Sequence, residues 1–493
     1  MSIARAWTVG GLMGWIAAAN LAACSSEPPA EDAPASKRDD GGGKPASDAA
    51  TAAHDATLSL DADVASDAAD ASIDRVESYD AGDADVEDAR DAGDAGSVAD
   101  AATSDAADAG PATPAVAGYS VLGEISHPFA KPYALAVDST NHLYVSEQTD
   151  APDTHTLYLA SRSFAGNIAP GHSRILKFDA TGAYLGWIGG GSDNSKGFHG
   201  AASPATAVYG YDPGVFNMIR GMAIDEADHL FVLDNWRIQE FDAAHAFVRW
   251  TGFQWPSSYG WHASGQPDSY AGPKIGGFTW GSTLRIHGGR FWVGNWFWNY
   301  PGFVNGDWNC ISALDVTTGL GVAWLGGALN TATQAKSSGY IPVGAPMEPR
   351  SAVAHSSTPG IFSSPRHFVW RNKRLYIVDN TSDPVVSVFD ESGVRQPGKL
   401  EHLVGAGEKP FAIAVDRFGN VIVSDMYTGS VRFFSWKLDA NGEFTQVAEW
   451  QLDAPSTPNA SYPLISDFAW DSDDNLYVAA TTRNKVYKLR LTY

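Results

Sequence analysis

The chain has 493 residues and a net charge of −24, but the acidity is unevenly placed: residues 25–118 carry 23 acidic side chains against 5 basic, and residues 119–493 carry 34 against 27. The remainder of the chain is therefore only mildly acidic and has no block of Lys or Arg, which argues against a counterion-releasing grip on nucleic acid. Cys24 and Cys310 are the only cysteines, so once Cys24 is engaged elsewhere no intramolecular disulfide can form and the fold rests on its core alone.

Residues 1–23 read as an export signal, with Arg5, an apolar stretch from Ala6 to Ala19, and small residues before a cysteine. The apolar run is too short and too interrupted by glycine for a retained membrane helix. Leu21-Ala22-Ala23-Cys24 resembles the lipobox of bacterial lipoproteins, which implies cleavage before Cys24 and lipidation of its sulfur. An ordinary signal peptide with an incidental cysteine is the alternative. Several acyl chains make a stable anchor, and Ser25, where an inner-membrane retention signal commonly shows Asp, points to the outer membrane or cell surface.

Residues 24–118 are rich in Ala, Asp, Ser, Gly and Pro, with Tyr79 almost the lone aromatic. Such a segment buries too little apolar surface to offset its ordering entropy and is expected to be a disordered tether. A flexible coil of this length reaches roughly 50–60 Å. Its Asp runs lack the fixed ligand spacing and turn glycine of a calcium loop.

From residue 119 one unit recurs six times. The clearest copies are Pro132–Asp138 with His142–Glu147, Ile219–Asp225 with His229–Asp234, and Pro410–Asp416 with Asn420–Asp425. Fainter copies occupy 283–295, 365–379 and 465–480. Each gives two short strands about an Asp/Asn/Gly turn, then a third strand such as Arg174–Asp179 and a fourth such as Ala183–Ile188. Six antiparallel four-stranded units predict an all-β, six-bladed propeller. The sixth unit ends at Tyr493 without a fourth strand, and an orphan strand, 119–125, precedes the first unit. Pairing 119–125 with 485–491 would close the ring and remove two exposed edges. The units are similar to those of the NHL-repeat family (Pro-x-Gly-Ile-Ala-Val-Asp, a Gly-Asn turn, Tyr-Val-Ala-Asp, Arg-Ile-x-x-Phe), which implies the same six-bladed propeller over 119–493. Arg285 and His287 depart from that pattern in the third unit, where Ala and Asp are usual.

Loop lengths are one-sided. Turns between first and second strands, and between third and fourth, are short, whereas 148–173, 189–218, 252–282, 296–309 and 326–364 all fall on the opposite face, in the first four units. Long loops on a rigid scaffold are where binding concentrates. Nine of the domain's fifteen tryptophans lie from Trp236 to Trp308, and Trp296 and Trp298 form either a satellite core or an aromatic platform for a sugar or peptide.

Two rings of positions surround the channel mouth on that face. The second strands end at Glu147, Asp234, Asn295, Asp379, Asp425 and Ala480, where an acid either braces the neighbouring loop or, in the manner of gluconolactonase-type propellers, holds a divalent ion such as Ca²⁺; Glu147, Asn295, Asp379 and Asp425 are the candidates. The first strands begin at Tyr133, Arg220, Ser282, Arg366, Phe411 and Ser466. Arg220 and Arg366 suit an anionic ligand or pair with the acid ring. His367, with Asp467 two units away, is a candidate acid/base pair.

No Gly-x-Ser-x-Gly elbow, phosphate loop or His-Glu-x-x-His motif is present. Propeller lyases that this chain resembles carry Pro-His pairs at three first strands to bind zinc; the pairs here are Pro132-Tyr133, Ile219-Arg220, Pro365-Arg366 and Pro410-Phe411, which supply no three-His site. The expectation is a monomeric, membrane-anchored binding or scaffolding propeller for a protein, glycan or small anionic ligand, with no required cofactor. The alternative is a lactonase, hydrolase or lyase using the same face.

Overall fold

A computed structural model describes residues 114–147, 173–208, 210, 212–234, 236–252, 259–263, 281–295, 309–330, 336–342, 347–350, 362, 365–379, 386–400, 409–426, 428–451 and 463–493. The signal segment, Cys24, the expected tether to residue 113, and Trp296 and Trp298 lie outside them.

Six antiparallel sheets follow one another along the chain. Blade one is Pro132–Val137, Leu143–Glu147, Arg174–Phe178 and Tyr184–Gly191, extended by Lys196–Gly200. Blade two runs from Ile219–Ile224 to Phe247–Gly252, with Trp261–His262 added at its edge. Blade three begins at Gly281–His287 and Arg290–Asn295, which places its register as the repeat predicts, with Gly288 and Gly289 at φ +59° and +69° in the turn. A side chain is strained in such a left-handed pair, so Gly-Gly fits. Blades four and five start at Pro365–Arg371 and Pro410–Val415.

Blade six is built from both ends of the domain. Asp467–Trp470, Asn475–Ala480 and Lys485–Thr492 supply three strands, and Gly118–Glu124 supplies the fourth, from Gly118 opposite Thr492 to Glu124 opposite Tyr487. The expected closure is present, and the propeller takes in more of the chain than 119 onward. Val116 is 2% exposed within the core, the Ala117 amide donates to the Thr492 carbonyl at 2.7 Å, and Asn420 of blade five donates to the Pro114 carbonyl at 3.3 Å.

Neighbouring blades bury their faces against each other: Leu135 and Val145 of blade one pack with Tyr477 and Val486 of blade six, and Ala223 and Leu233 of blade two with Leu284 and Val293 of blade three. The aspartate that ends a first strand folds the short turn after it. Asp138 Oδ1 accepts the Thr140 and His142 amides at 2.9 and 2.8 Å, and Asp225, Asp416 and Asp471 repeat the arrangement. Burial works to raise the Asp138 pKa, but these bonds, with those from the Thr140, His142 and Tyr144 side chains, outweigh it and hold the value at about 2.

The closing strand sets one expected outcome. A chain beginning at Pro114 should melt as the full-length protein does, and one beginning at residue 127 should melt far lower, because it opens two sheet edges. Val116→Ala should cost about 1–3 kcal/mol by chemical denaturation, the worth of a buried valine side chain. Equal stability of the chains beginning at 114 and 127 would show that closure lies elsewhere.

Candidate functional site at the channel mouth

The first strands line the channel, and five of them are bulged near their start, between Pro132 and Leu135, Ile219 and Gly221, Gly281 and Leu284, Pro365 and His367, and Pro410 and Ile413. A bulge takes backbone amides out of the ladder, and buried amides need other acceptors. The Ala134 and Ala412 amides donate to Ser146 and Ser424 at 2.8 and 3.0 Å. The next amide of each strand turns to the preceding blade: Leu135 donates to Asp467 Oδ2 of blade six at 2.9 Å, and Ile413 to His367 Nδ1 of blade four at 3.3 Å. Where no such bond forms, the position is small. At Gly221 a Cβ would stand 2.6 Å from the Leu284 nitrogen of blade three.

His367 and Asp467, 2% and 3% exposed, meet across the channel with His367 Nε2 2.7 Å from Asp467 Oδ1. Because Nδ1 accepts the Ile413 amide, the proton of the neutral ring sits on Nε2 and is donated to Asp467. Arg285, from the opposite side of the ring, brings Nη2 to 3.1 Å from both His367 Nε2 and Asp467 Oδ1. Asp467 also accepts the Phe468 amide at 2.8 Å. Burial pushes the His367 pKa down, against the pull of Asp467 and assisted by Arg285. For Asp467 burial acts upward, but Arg285, His367 and the Leu135 amide outweigh it and lower the pKa.

The structure thus brings two expected site residues together and adds a third, Arg285. Both ring nitrogens of His367 are engaged, and Asp467 accepts four bonds, three at Oδ1 and one, from the Leu135 amide, at Oδ2. In this arrangement the pair fastens blades rather than presenting an acid or base to a ligand. Sequence reasoning registered Arg285 as a departure from the repeat without giving it a role. The signal was the strand register: Arg285 occupies the place held by Ala136, Ala223, Ala414 and Ala469 in four other blades, two residues beyond the His367 and Asp467 positions, on the same side of its strand.

The acid ring braces loops. Glu147 accepts the Ala130 amide and Arg174 Nε, both at 2.7 Å. Asp234 accepts the Asn217 and Met218 amides at 2.8 Å, two nitrogens of Arg237 and the Gln239 amide group. Asp425 accepts the Lys409 and Thr428 amides. Asp379 is buried and engaged. Asn295 donates to Ser312 Oγ at 2.6 Å and keeps a buried carbonyl oxygen without a partner. Among the described residues no three His, Cys, Asp or Glu side chains converge as metal ligands.

In the outer ring, Ser282 and Ser466 donate to the Pro365 and Tyr133 carbonyls of the next blade at 2.9 and 2.6 Å, and Phe411 is buried. Arg366 is half-buried and engaged by its surroundings. The Arg220 guanidinium lies 5.7 Å from the centre of the Tyr133 ring, a cation–π contact, with no acid bonded to it among the described residues.

No family model and no curated protein matches the chain. Solved structures similar to it include a streptogramin B lyase (10% identity, 76% of this chain and 98% of that one, TM-score 0.41). Virginiamycin B lyase from Staphylococcus aureus gives 11%, 76% and 99%, and 0.40. The Myceliophteria thermophila Cps50 (Swd1) β-propeller domain gives 8%, 76% and 100%, and 0.43. At such identities and scores, the residues of those proteins say nothing about the roles of residues here.

A neutral, buried His367 makes stability depend on pH. In the unfolded chain the imidazole takes a proton near its ordinary 6.5, while in the fold its pKa lies lower; its contribution is present above pH 6.5 and declines as pH falls below it. Between pH 7 and 5 the wild-type melting temperature should fall, and His367→Gln should flatten that part of the curve. At pH 7 the same variant should lose about 1–3 kcal/mol, the cost of removing a neutral hydrogen-bond partner from buried groups. An unchanged pH profile in the variant would rule out this account. What the described residues establish is an all-β, six-bladed propeller whose channel is crossed by the Arg285–His367–Asp467 network.

Proposed function

We propose that the chain is an exported, lipid-anchored propeller that binds or scaffolds a protein, glycan or small anionic ligand on its long-loop face. Its anchor is the lipidated Cys24, its place the outer membrane or cell surface of a bacterium, and its working state a monomer. The observation that supports the binding reading over the enzymatic one is the mutual engagement of the channel's polar groups: His367 and Asp467 are bonded to each other and to backbone amides of neighbouring blades, and Glu147 and Asp234 are paired with Arg174 and Arg237. Of the long connections expected on one face, 189–218, 252–282 and 326–364 add strands to the blade edges and meet short turns of the next blade at His245, Thr318 and Gly393, so the choice of face rests on the lengths of 148–173 and 296–309 in the sequence.

Two measurements test this. Cys24→Ala should move the protein from the membrane fraction to the soluble fraction; a variant that still needs detergent would contradict the anchor. A ligand captured in a pull-down and glycan screen should be recovered chemically unchanged and should slow amide exchange at the first-strand starts, around Tyr133 and Ile219–Gly221. Protection confined to the short turns 138–142 and 225–229 would overturn the face assignment, and conversion of the ligand would favour a lactonase, hydrolase or lyase.

A further inference from the structure

The six positions at which the first strands begin are not equivalent in what they leave unused. Ser282 and Ser466 are committed to neighbouring carbonyls, Phe411 offers no donor, and Arg366 is engaged. Arg220 and Tyr133 remain. Tyr133 is 7% exposed, and among the described residues its hydroxyl makes no hydrogen bond. Its ring belongs to the core while its oxygen stays open to solvent, which leaves the phenol free to donate at the mouth. Beside it stands the Arg220 guanidinium, held over the Tyr133 ring. The acid at the neighbouring ring position of its own blade, Asp234, cannot serve it, because both Asp234 oxygens are taken by Arg237, Gln239 and two backbone amides.

A guanidinium over a tyrosine ring, with no acceptor for either group among the described residues, suits an oxyanion. A guanidinium presents parallel N–H bonds that match the two oxygens of a carboxylate or phosphate, and the phenol adds a third donor. The cation–π contact limits the orientations open to the guanidinium, so less freedom is lost when an oxyanion arrives. The level below is closed by Arg285, His367 and Asp467, which are mutually bonded, so the site is a shallow one at the mouth.

We infer that Arg220 and the Tyr133 hydroxyl form an oxyanion site that takes a carboxylate or phosphate group of the ligand. This rests on the long-loop-face reading above and names the chemical group that the face receives first.

The test titrates the full-length protein calorimetrically with succinate and, separately, with inorganic phosphate at constant ionic strength. Saturable binding of either supports the site, and the arm that binds names the source of the oxyanion. Arg220→Gln should then weaken binding by roughly tenfold or more, the loss of a charge-assisted pair. Tyr133→Phe should weaken it several-fold. Both should melt as the wild type does. Arg220→Lys, which keeps the charge but loses the fork, should fall between wild type and Arg220→Gln and serves if the glutamine variant does not fold. Wild-type affinity in Arg220→Gln, or no binding of either anion, would overturn the inference. Should the anions fail while a larger ligand still protects the first-strand starts, the oxyanion site falls and the binding face stands.

Discussion

A propeller must hold its first strands side by side around a channel, and the backbone amides that their bulges release have to be met there without water. In this protein that demand is answered by side chains reaching between blades. Asp467 takes the Leu135 amide of blade one and His367 takes the Ile413 amide of blade five. Placing a carboxylate at that depth is unfavourable unless it is compensated, and Arg285 supplies the compensating charge from across the ring. Blades one, three, four, five and six are thereby linked through three side chains, and the bulges, the choice of Ala and Gly at the other inner positions, and the closed channel follow from the same constraint.

The network also fixes the protonation and bonding of its histidine. A histidine beside an aspartate invites an acid–base reading, and the spacing of His367 and Asp467 alone does not argue against one. The backbone does: the Ile413 amide fixes the tautomer and fills the remaining nitrogen. At the ring of strand starts serines bind carbonyls of the next blade and Arg220 stands over Tyr133.

The six units, the antiparallel strands and the closure by the segment after Gly118 were legible in the sequence because each rests on local signals: a recurring unit of short apolar runs, Asp/Asn/Gly turns, and a missing fourth strand in the last unit. The Arg at the start of a third strand was visible as part of the repeat, and its reason, pairing with the acid that ends the second strand, appears at Arg174 with Glu147 and Arg237 with Asp234. Arg285 was not legible as a partner, since a bond spanning 182 positions of chain leaves no local trace beyond an Arg where Ala is usual. Val116 was equally hidden. It follows an Asp- and Ala-rich stretch whose composition says tether, and one apolar residue carries no periodicity. The roles of Trp296 and Trp298 stay where the sequence left them, outside the described residues.

The two faces of the propeller differ in one more respect, the placing of the ends of the described segment. The closing strand runs from the short-turn face at Gly118 toward the long-loop face at Glu124, antiparallel to Lys485–Thr492. Pro114 is bonded to Asn420, in the short turn of blade five, and Tyr493 packs on Phe418 of that turn at 4.8 Å. The N-terminal junction and the C-terminal residue therefore share the short-turn face, where short, aspartate-capped loops leave little to vary. A first strand, by contrast, starts on the face opposite that junction, so Tyr133 and Arg220 lie at the end of the channel away from Pro114. The contacts through which Pro114–Glu124 closes the ring are thus confined to blades five and six, with Asn420 and along Lys485–Thr492, and leave the first-strand starts of the other blades untouched.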